Sequence, residues 1–238
     1  MLTELLFQKD SYLKEFNANV LDVQENKVVL DRTAFHPLTG GVDCDLGSIS
    51  TTSETYRIVQ VTEDKVTGNV LHNIEGVPKI KIGENLTGSI DWERRYKLMK
   101  LHTAAHILSS ILFKKYGVYV TGGHIDAEHA KDDFNLESSD KSVFDEAVRE
   151  TNVIISRGAE VKIYFLSREK ALEIPGIVKL AQRAPPNINM LRIVEIPDVD
   201  VQADGGPHVA NIKEIVGITI EKVENKGKGR KRVYYKLS

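Results

Sequence analysis

The 238-residue chain contains one cysteine, Cys44, so no disulfide can form within it and a reducing compartment is the simpler setting. No apolar run approaches the roughly 20 residues needed to span a bilayer. The opening MLTELLFQKDSYLKEF lacks the cationic-then-apolar layout of a secretory signal, and a soluble cytoplasmic protein is expected. Neither sign of charge dominates. With 32 Lys and Arg against 34 Asp and Glu, any nucleic-acid contact has to come from a local basic patch rather than an overall field. The loop HPLTGGVDCDLG lacks the lysine and spacing of a phosphate-binding P-loop, so no ATP site is expected. What remains, 41% hydrophobic and 28% charged, suits a globular protein with a sizeable core.

The first ninety residues read as β-structure. NANVLDVQENKVVLDRT places two β-branched runs around the polar turn QEN, and TYRIVQVTEDKVTGNVLHNI repeats the pattern around TEDK. IKIGENLTGSIDW follows. Short strands punctuated by turns at this spacing predict a small antiparallel barrel. The texture changes at Trp92, where Leu98, Leu101, Ala105, Leu108 and Leu112 recur near a period of 3.6 and Gly117 stops the pattern. A second helix is expected in DKSVFDEAVRETNVIISRG, capped by Ser139 or Asp140 and ended by Gly158. VKIYFL, MLRIVEI and EIVGITIEKVE read as strands and SREKALEI as a short helix. The chain is therefore expected to be α+β overall, with a β-barrel domain over 1–90 and an α+β domain over 91–238.

Inside the long helix, LHTAAHIL sets His102 and His106 four apart, on one face and about one turn from each other. Taken alone, such a pair is ordinary in a helix. One hundred residues later, ADGGPH sets Asp204 and His208 about a turn of two glycines and a proline. Gly205 and Gly206 let that backbone fold tightly and bring both side chains to one side. Two imidazoles from a helix, with a third and a carboxylate from a turn, make a tetrahedral zinc set. Nitrogen and oxygen donors suit zinc better than copper(I) or an iron–sulfur cluster, which favour thiolates. In the helical hydrolase signature the residue after the first histidine is glutamate, the general base. Here it is Thr103, which argues against a metallopeptidase. The residues read as a zinc-dependent hydrolase acting on an activated substrate such as an ester.

Several stretches together resemble the editing domain of alanyl-tRNA synthetase, and most of all its free-standing relatives, the AlaX-type alanyl-tRNA editing proteins. They are DWERRYKLMKLHTAAHIL, GGHIDAEHAKDDFN, LRIVEIPDVDVQADGGPHVANIKEIVGI and ENKGKGRKRVYYKL. DSYLKEFNANV and LDRTAFHPLTGGVDCDLGSI resemble the barrel and glycine-rich loop of the longer members, so the likeness runs along nearly the whole chain. The resemblance implies deacylation, in trans, of tRNA(Ala) mischarged with serine, with glycine as a further candidate, and a zinc ion at His102, His106, Asp204 and His208. It also implies that the Gly40–Gly41 loop meets substrate. The family pattern is Cys-Gly-Gly-Thr-His, whereas this chain has Asp204 for the cysteine and Pro207 for the threonine. Asp204 can ligate the ion or stand behind three histidines. Val42 occupies a position where the family often has glutamine. A tRNA-binding module that keeps the fold and metal without turnover is the competing expectation.

Serine differs from alanine by a hydroxyl, and a site that bonds that hydroxyl rejects alanine by leaving its own polar group unpaired. Thr121, in VYVTGGHI, is the candidate partner, from the segment that carries hydroxyl recognition in the family, and His124 the candidate pocket residue. For the tRNA backbone, WERRYKLMK offers Arg94 and Arg95, and KGKGRKR offers Lys226, Lys228, Arg230, Lys231 and Arg232.

Overall fold

The strand runs of the first ninety residues do close on themselves. In the computed structural model, which describes residues 2–137, 142–175, 177, 188–227 and 229–238, the chain divides into two compact units, Met1–Leu98 and Met99–Ser238. The first unit carries β1 (Glu4–Leu5), β2 (Glu15–Gln24), β3 (Lys27–Leu30), β4 (Arg32–Thr33), β5 (Gly47–Ser50), β6 (Thr55–Glu63), β7 (Val70–Ile74) and β8 (Asn85–Ile90). Six of these form a closed antiparallel barrel in the order β2–β3–β7–β6–β5–β8. Closure removes the unpaired edges that an open sheet would expose. Residues of β2 alternate between exposed and buried from Glu15 to Val20, as a strand with one face on a core requires. Val20, Val28, Leu30, Ile49, Ile58, Val61, Val70, Ile74 and Leu86 fill the interior.

The second unit holds most of α1 (Trp92–Tyr116), followed by β9 (Val120–Ile125), β10 (Ala130–Phe134), α2 (Ser142–Arg157), β11 (Lys162–Ser167), α3 (Arg168–Leu172), β12 (Met190–Ile196), β13 (Asp200–Ala203), β14 (Ile218–Asn225) and β15 (Lys231–Leu237). Four strands pair in the order β14–β15–β10–β9 and three in the order β11–β12–β13. The α+β class is as expected. Both long helices stop where the sequence reading put their ends, at Gly117 and Gly158, each in the left-handed region that glycine enters without penalty. The cap expected at Ser139 or Asp140 lies outside the described residues.

The one-sided stripe expected on α1 needs correction. Leu98, Met99, Leu101, Ala104, Ile107, Leu108, Ile111 and Leu112 are all buried, while Ala105, assigned to the stripe, is half-buried. His102, Thr103 and His106 are buried with them. From Leu101 to Leu112 every residue but Ala105 is buried, so the polar residues of that stretch need partners inside the protein. By contrast α2 is amphipathic, burying Phe144, Ala147, Val148, Thr151 and Ile155 at helical spacing.

Candidate metal centre

Two elements of the second unit meet at the centre: the middle of α1 and the turn that follows β13. Asp204, at the head of this turn, accepts the Gly206 backbone N–H at 2.7 Å. Arg192 of β12 is buried and donates through Nη1 to the carbonyls of Asp204 and Gly206, both at 2.9 Å, tying the turn to the sheet. The role expected for the glycines changes here. Neither Gly205 nor Gly206 sits at positive φ. Gly206 is needed for room, because a Cβ on it would lie 2.6 Å from the His102 ring.

The turn brings His102, His106, Asp204 and His208 together, with one donor atom from each all within 4.8 Å of one another. Asp204 Oδ2 lies 3.5 Å from His102 Nε2 and 3.8 Å from His106 Nε2, and Oδ1 lies 3.2 Å from His208 Nε2. A tetrahedral ion with ligands at about 2.05 Å has donors about 3.3 Å apart, so the cluster is close to the spacing a metal requires.

The outer nitrogens explain which lone pairs point inward. His102 Nδ1 lies 3.3 Å from the Pro207 carbonyl and His106 Nδ1 lies 3.0 Å from Asp200 Oδ2, and both partners can only accept. Thr103 spends its hydroxyl hydrogen on the Met99 carbonyl at 2.8 Å, so it accepts at 3.0 Å from His208 Nδ1. Each ring thus engages Nδ1 outward and turns Nε2 toward Asp204, the nitrogen that can ligate a metal or, without one, take up a second proton. Lone pairs and a carboxylate converging at this distance repel unless a proton or a metal cation lies among them.

The protonation tendencies agree. Burial pulls His106 down, but its hydrogen bonds to Asp200 and Asp204 and their charges outweigh this and push it up to about 9. Burial would raise the Asp204 carboxyl, yet the charge on His102 and bonds from the three imidazoles hold it well below the usual carboxylate range. Burial, reinforced by the charge on His102, keeps His208 neutral. The centre is built to hold positive charge.

Other expected residues lie elsewhere. Thr121 sits beside a register irregularity between β9 and β10, where its hydroxyl donates to the Asp133 carbonyl at 3.2 Å. His124 pairs across the sheet with Lys131 and lines a cavity of about 310 Å³ with Asp126, His129, Glu221, Lys222 and Tyr234. In the first unit, Gly40 and Gly41 are exposed at φ 65° and 84°, the signs a tight type I′ turn needs, with the Val42 N–H bonded to the Thr39 carbonyl at 3.0 Å. Val42 itself is buried.

The basic residues divide sharply. Arg95 is fully buried, paired with Asp45 and donating to the Ser11 and Ala34 carbonyls, so it has no surface to offer a phosphate. Its expected tRNA contact is withdrawn in favour of a role in holding the first unit together. Lys231 is likewise buried. Arg94 is half-buried and committed to Asp43 at 2.7 Å and the Cys44 carbonyl at 3.1 Å, and Arg232 is clamped by both oxygens of Asp133 at 2.6 and 2.7 Å. Lys226 and Arg230 are exposed on the β14–β15 hairpin, and Lys228 lies outside the described residues.

The matches to known families fall on these parts. Residues 6–94 match the model of class II (A) tRNA synthetases. Residues 191–234, which include the turn from Asp204 to His208, match the threonyl and alanyl tRNA synthetase second additional domain. The chain is 52% identical over 236 residues to the alanyl-tRNA editing protein AlaX-M of Saccharolobus solfataricus, covering 98% of each chain. It belongs to the AlaX-M family of alanyl-tRNA editing proteins. A Methanosarcina mazei AlaX-M is 38% identical, covering 99% of this chain and 97% of that one. An alanine–tRNA ligase of Saccharolobus islandicus is 33% identical over 98% of this chain but only 26% of its own length, so the likeness to the ligase is to a portion of it. Three residues that hold the ligands were missed in the sequence: Asp200, Thr103 and Arg192. Thr103 was noticed only for the glutamate it replaces. Asp200 carried a faint signal, an acid alternating with valines in DVDVQAD just ahead of a glycine turn.

Proposed function

We propose that this protein hydrolyses the ester of tRNA(Ala) mischarged with serine, acting in trans in the cytoplasm with zinc at His102, His106, Asp204 and His208; glycine is the second candidate amino acid. The reading rests above all on three Nε2 lone pairs and a carboxylate directed at one point, within a member of this family. Imidazole and carboxylate donors at tetrahedral spacing are the ligand chemistry of zinc. Zinc bound there would supply a Lewis acid that polarises the ester carbonyl. Asp200, the Pro207 carbonyl and Thr103 keep the three rings in the ligating tautomer, while Arg192 holds the turn at its working distance from α1.

Specificity is assigned to Thr121. Its hydrogen is committed to Asp133, which leaves the oxygen lone pairs to accept from a seryl hydroxyl, and alanine offers nothing to that acceptor. Lys226 and Arg230 are the residues best placed to meet tRNA phosphates, and the exposed Gly40–Gly41 turn presents bare backbone to the substrate. His124 lines its own cavity as a secondary contact.

The deciding experiment incubates purified protein with Ser-tRNA(Ala) and Ala-tRNA(Ala), with and without a chelator. Release of serine and not alanine, abolished by chelation and restored by zinc, is expected. His106→Ala should lose bound zinc and activity together. Binding of Ser-tRNA(Ala) without release would leave a tRNA-binding module in place of a hydrolase.

A further inference from the structure

A carboxylate can meet a metal ion through one oxygen or through two, and the turn after β13 fixes which edge Asp204 presents. Its oxygens face different imidazoles. Oδ1 lies 3.2 Å from His208 Nε2, while Oδ2 lies 3.5 Å from His102 Nε2 and 3.8 Å from His106 Nε2. For ligand bonds of about 2.1 Å, donors that subtend about 95–130° at the ion lie about 3.1–3.8 Å apart. Each oxygen is therefore at coordinating separation from at least one nitrogen. The carboxylate straddles the three rings instead of pointing a single oxygen at them.

That orientation is anchored. Gly206 N–H donates to Oδ1 at 2.7 Å, and Arg192 Nη1 donates to the Asp204 carbonyl at 2.9 Å, so the carboxylate and the backbone carrying it are both held. An ionised carboxylate oxygen has two lone pairs, so the bond from Gly206 still leaves one on Oδ1 for a metal. Gly206 keeps the arrangement open, since a Cβ on it would lie 2.6 Å from the His102 ring and 3.4 Å from Oδ1. No thiolate can join, because the chain's one cysteine, Cys44, is buried in the barrel core of the first unit.

We infer that Asp204 ligates the ion through both oxygens, so that the protein supplies three nitrogens and two oxygens. The inference rests on the metal-binding part of the proposed function and not on the reaction. The oxygens of one carboxylate are close together, and the pair fills a single vertex of the tetrahedral spacing. Five nitrogen and oxygen donors suit ions that take expanded coordination, manganese(II), iron(II) and cobalt(II) beside zinc, and give a soft ion such as cadmium no sulfur to prefer. They also leave the centre without a thiol to oxidise.

The test loads the purified full-length protein with one equivalent of zinc and reads the metal directly. X-ray absorption should show five nitrogen and oxygen neighbours and the carboxyl carbon at about 2.5 Å, where bonds of about 2.2 Å to both oxygens put it; binding through one oxygen would put that carbon at about 2.9 Å. The longer distance overturns the assignment. Asp204→Asn keeps an acceptor for Gly206 N–H but removes the charge and one ligating oxygen. It should weaken zinc, in competition with a chelator, by more than about 100-fold, the upper end of what losing an orienting partner costs. A smaller loss places Asp204 behind the three histidines and overturns the assignment too. Asp204→Cys should shift the ratio of cadmium to zinc affinity toward cadmium by about tenfold or more, and an unchanged ratio counts against any ligation by this side chain. If neither variant folds, the wild-type spectrum decides alone. Failure of the wild type to take up any divalent ion overturns the metal-centre reading and this assignment with it. Uptake through these five donors without release of serine from Ser-tRNA(Ala) overturns the hydrolase reading and supports the assignment.

Discussion

Replacing Asp132 by asparagine should make the metal-free protein more stable at neutral pH. Folding moves the carboxyl from 3.8 to about 6, so the native state holds its proton more tightly than the unfolded chain does. For a carboxyl raised in this way, stability falls as pH rises from 3.8 through 6, and the penalty is constant above that window. At about 1.4 kcal/mol per unit of pKa, the full penalty is about 3 kcal/mol at pH 8, and linkage leaves about half of it at pH 5. Asparagine is neutral at both values and still accepts the Tyr235 hydroxyl. Urea denaturation of metal-free wild type and variant at pH 5 and pH 8 should therefore show a stabilisation that roughly doubles between the two. The protein must be metal-free, because a divalent cation nearby would itself favour the ionised carboxylate. Equal stability at pH 8, or a gain independent of pH, would refute the claim that this carboxylate is buried at a cost.

Thr103→Val removes the acceptor of His208 Nδ1 without touching a ligand, and zinc affinity measured against a competing chelator should fall about 10–100-fold. Arg95→Ala strands Asp45 in the interior and should cost about 3–5 kcal/mol in urea unfolding of the first unit. At temperatures where it stays folded, its salt dependence of tRNA binding should match wild type. Changing Lys226 and Arg230 together to alanine should do the reverse, leaving stability intact while flattening the slope of log Kd against log salt by up to about 2.

The difference between Arg95 and Lys226 shows why one part of the chain was legible and another was not. Strand alternation, glycine stops and the spacing of His102 to His106 are local patterns. Each is imposed by a repeat of two or 3.6 residues that survives whatever the rest of the fold does, so the barrel, both long helices and the ligand cluster could be anticipated. The fate of a charged side chain is decided by what arrives from far along the chain. WERRYKLMK looks like a surface run, yet Asp45, fifty residues earlier, takes Arg95 inside. The groups that orient the clustered histidines depend on distance in the same way. Thr103 is explained only once Met99 is seen to take its hydrogen and His208, 105 residues on, is seen to give it one. Asp132 is the limiting case. Nothing in AKDDF distinguishes it from Asp133 until strand register puts one over Gly123 and the other against Arg232. A one-residue slip of β10 would exchange the two, turning Asp132 toward the face of Arg232 and Asp133 toward the buried one. Which of two adjacent aspartates is buried is thus set by strand register, which only the assembled sheet fixes.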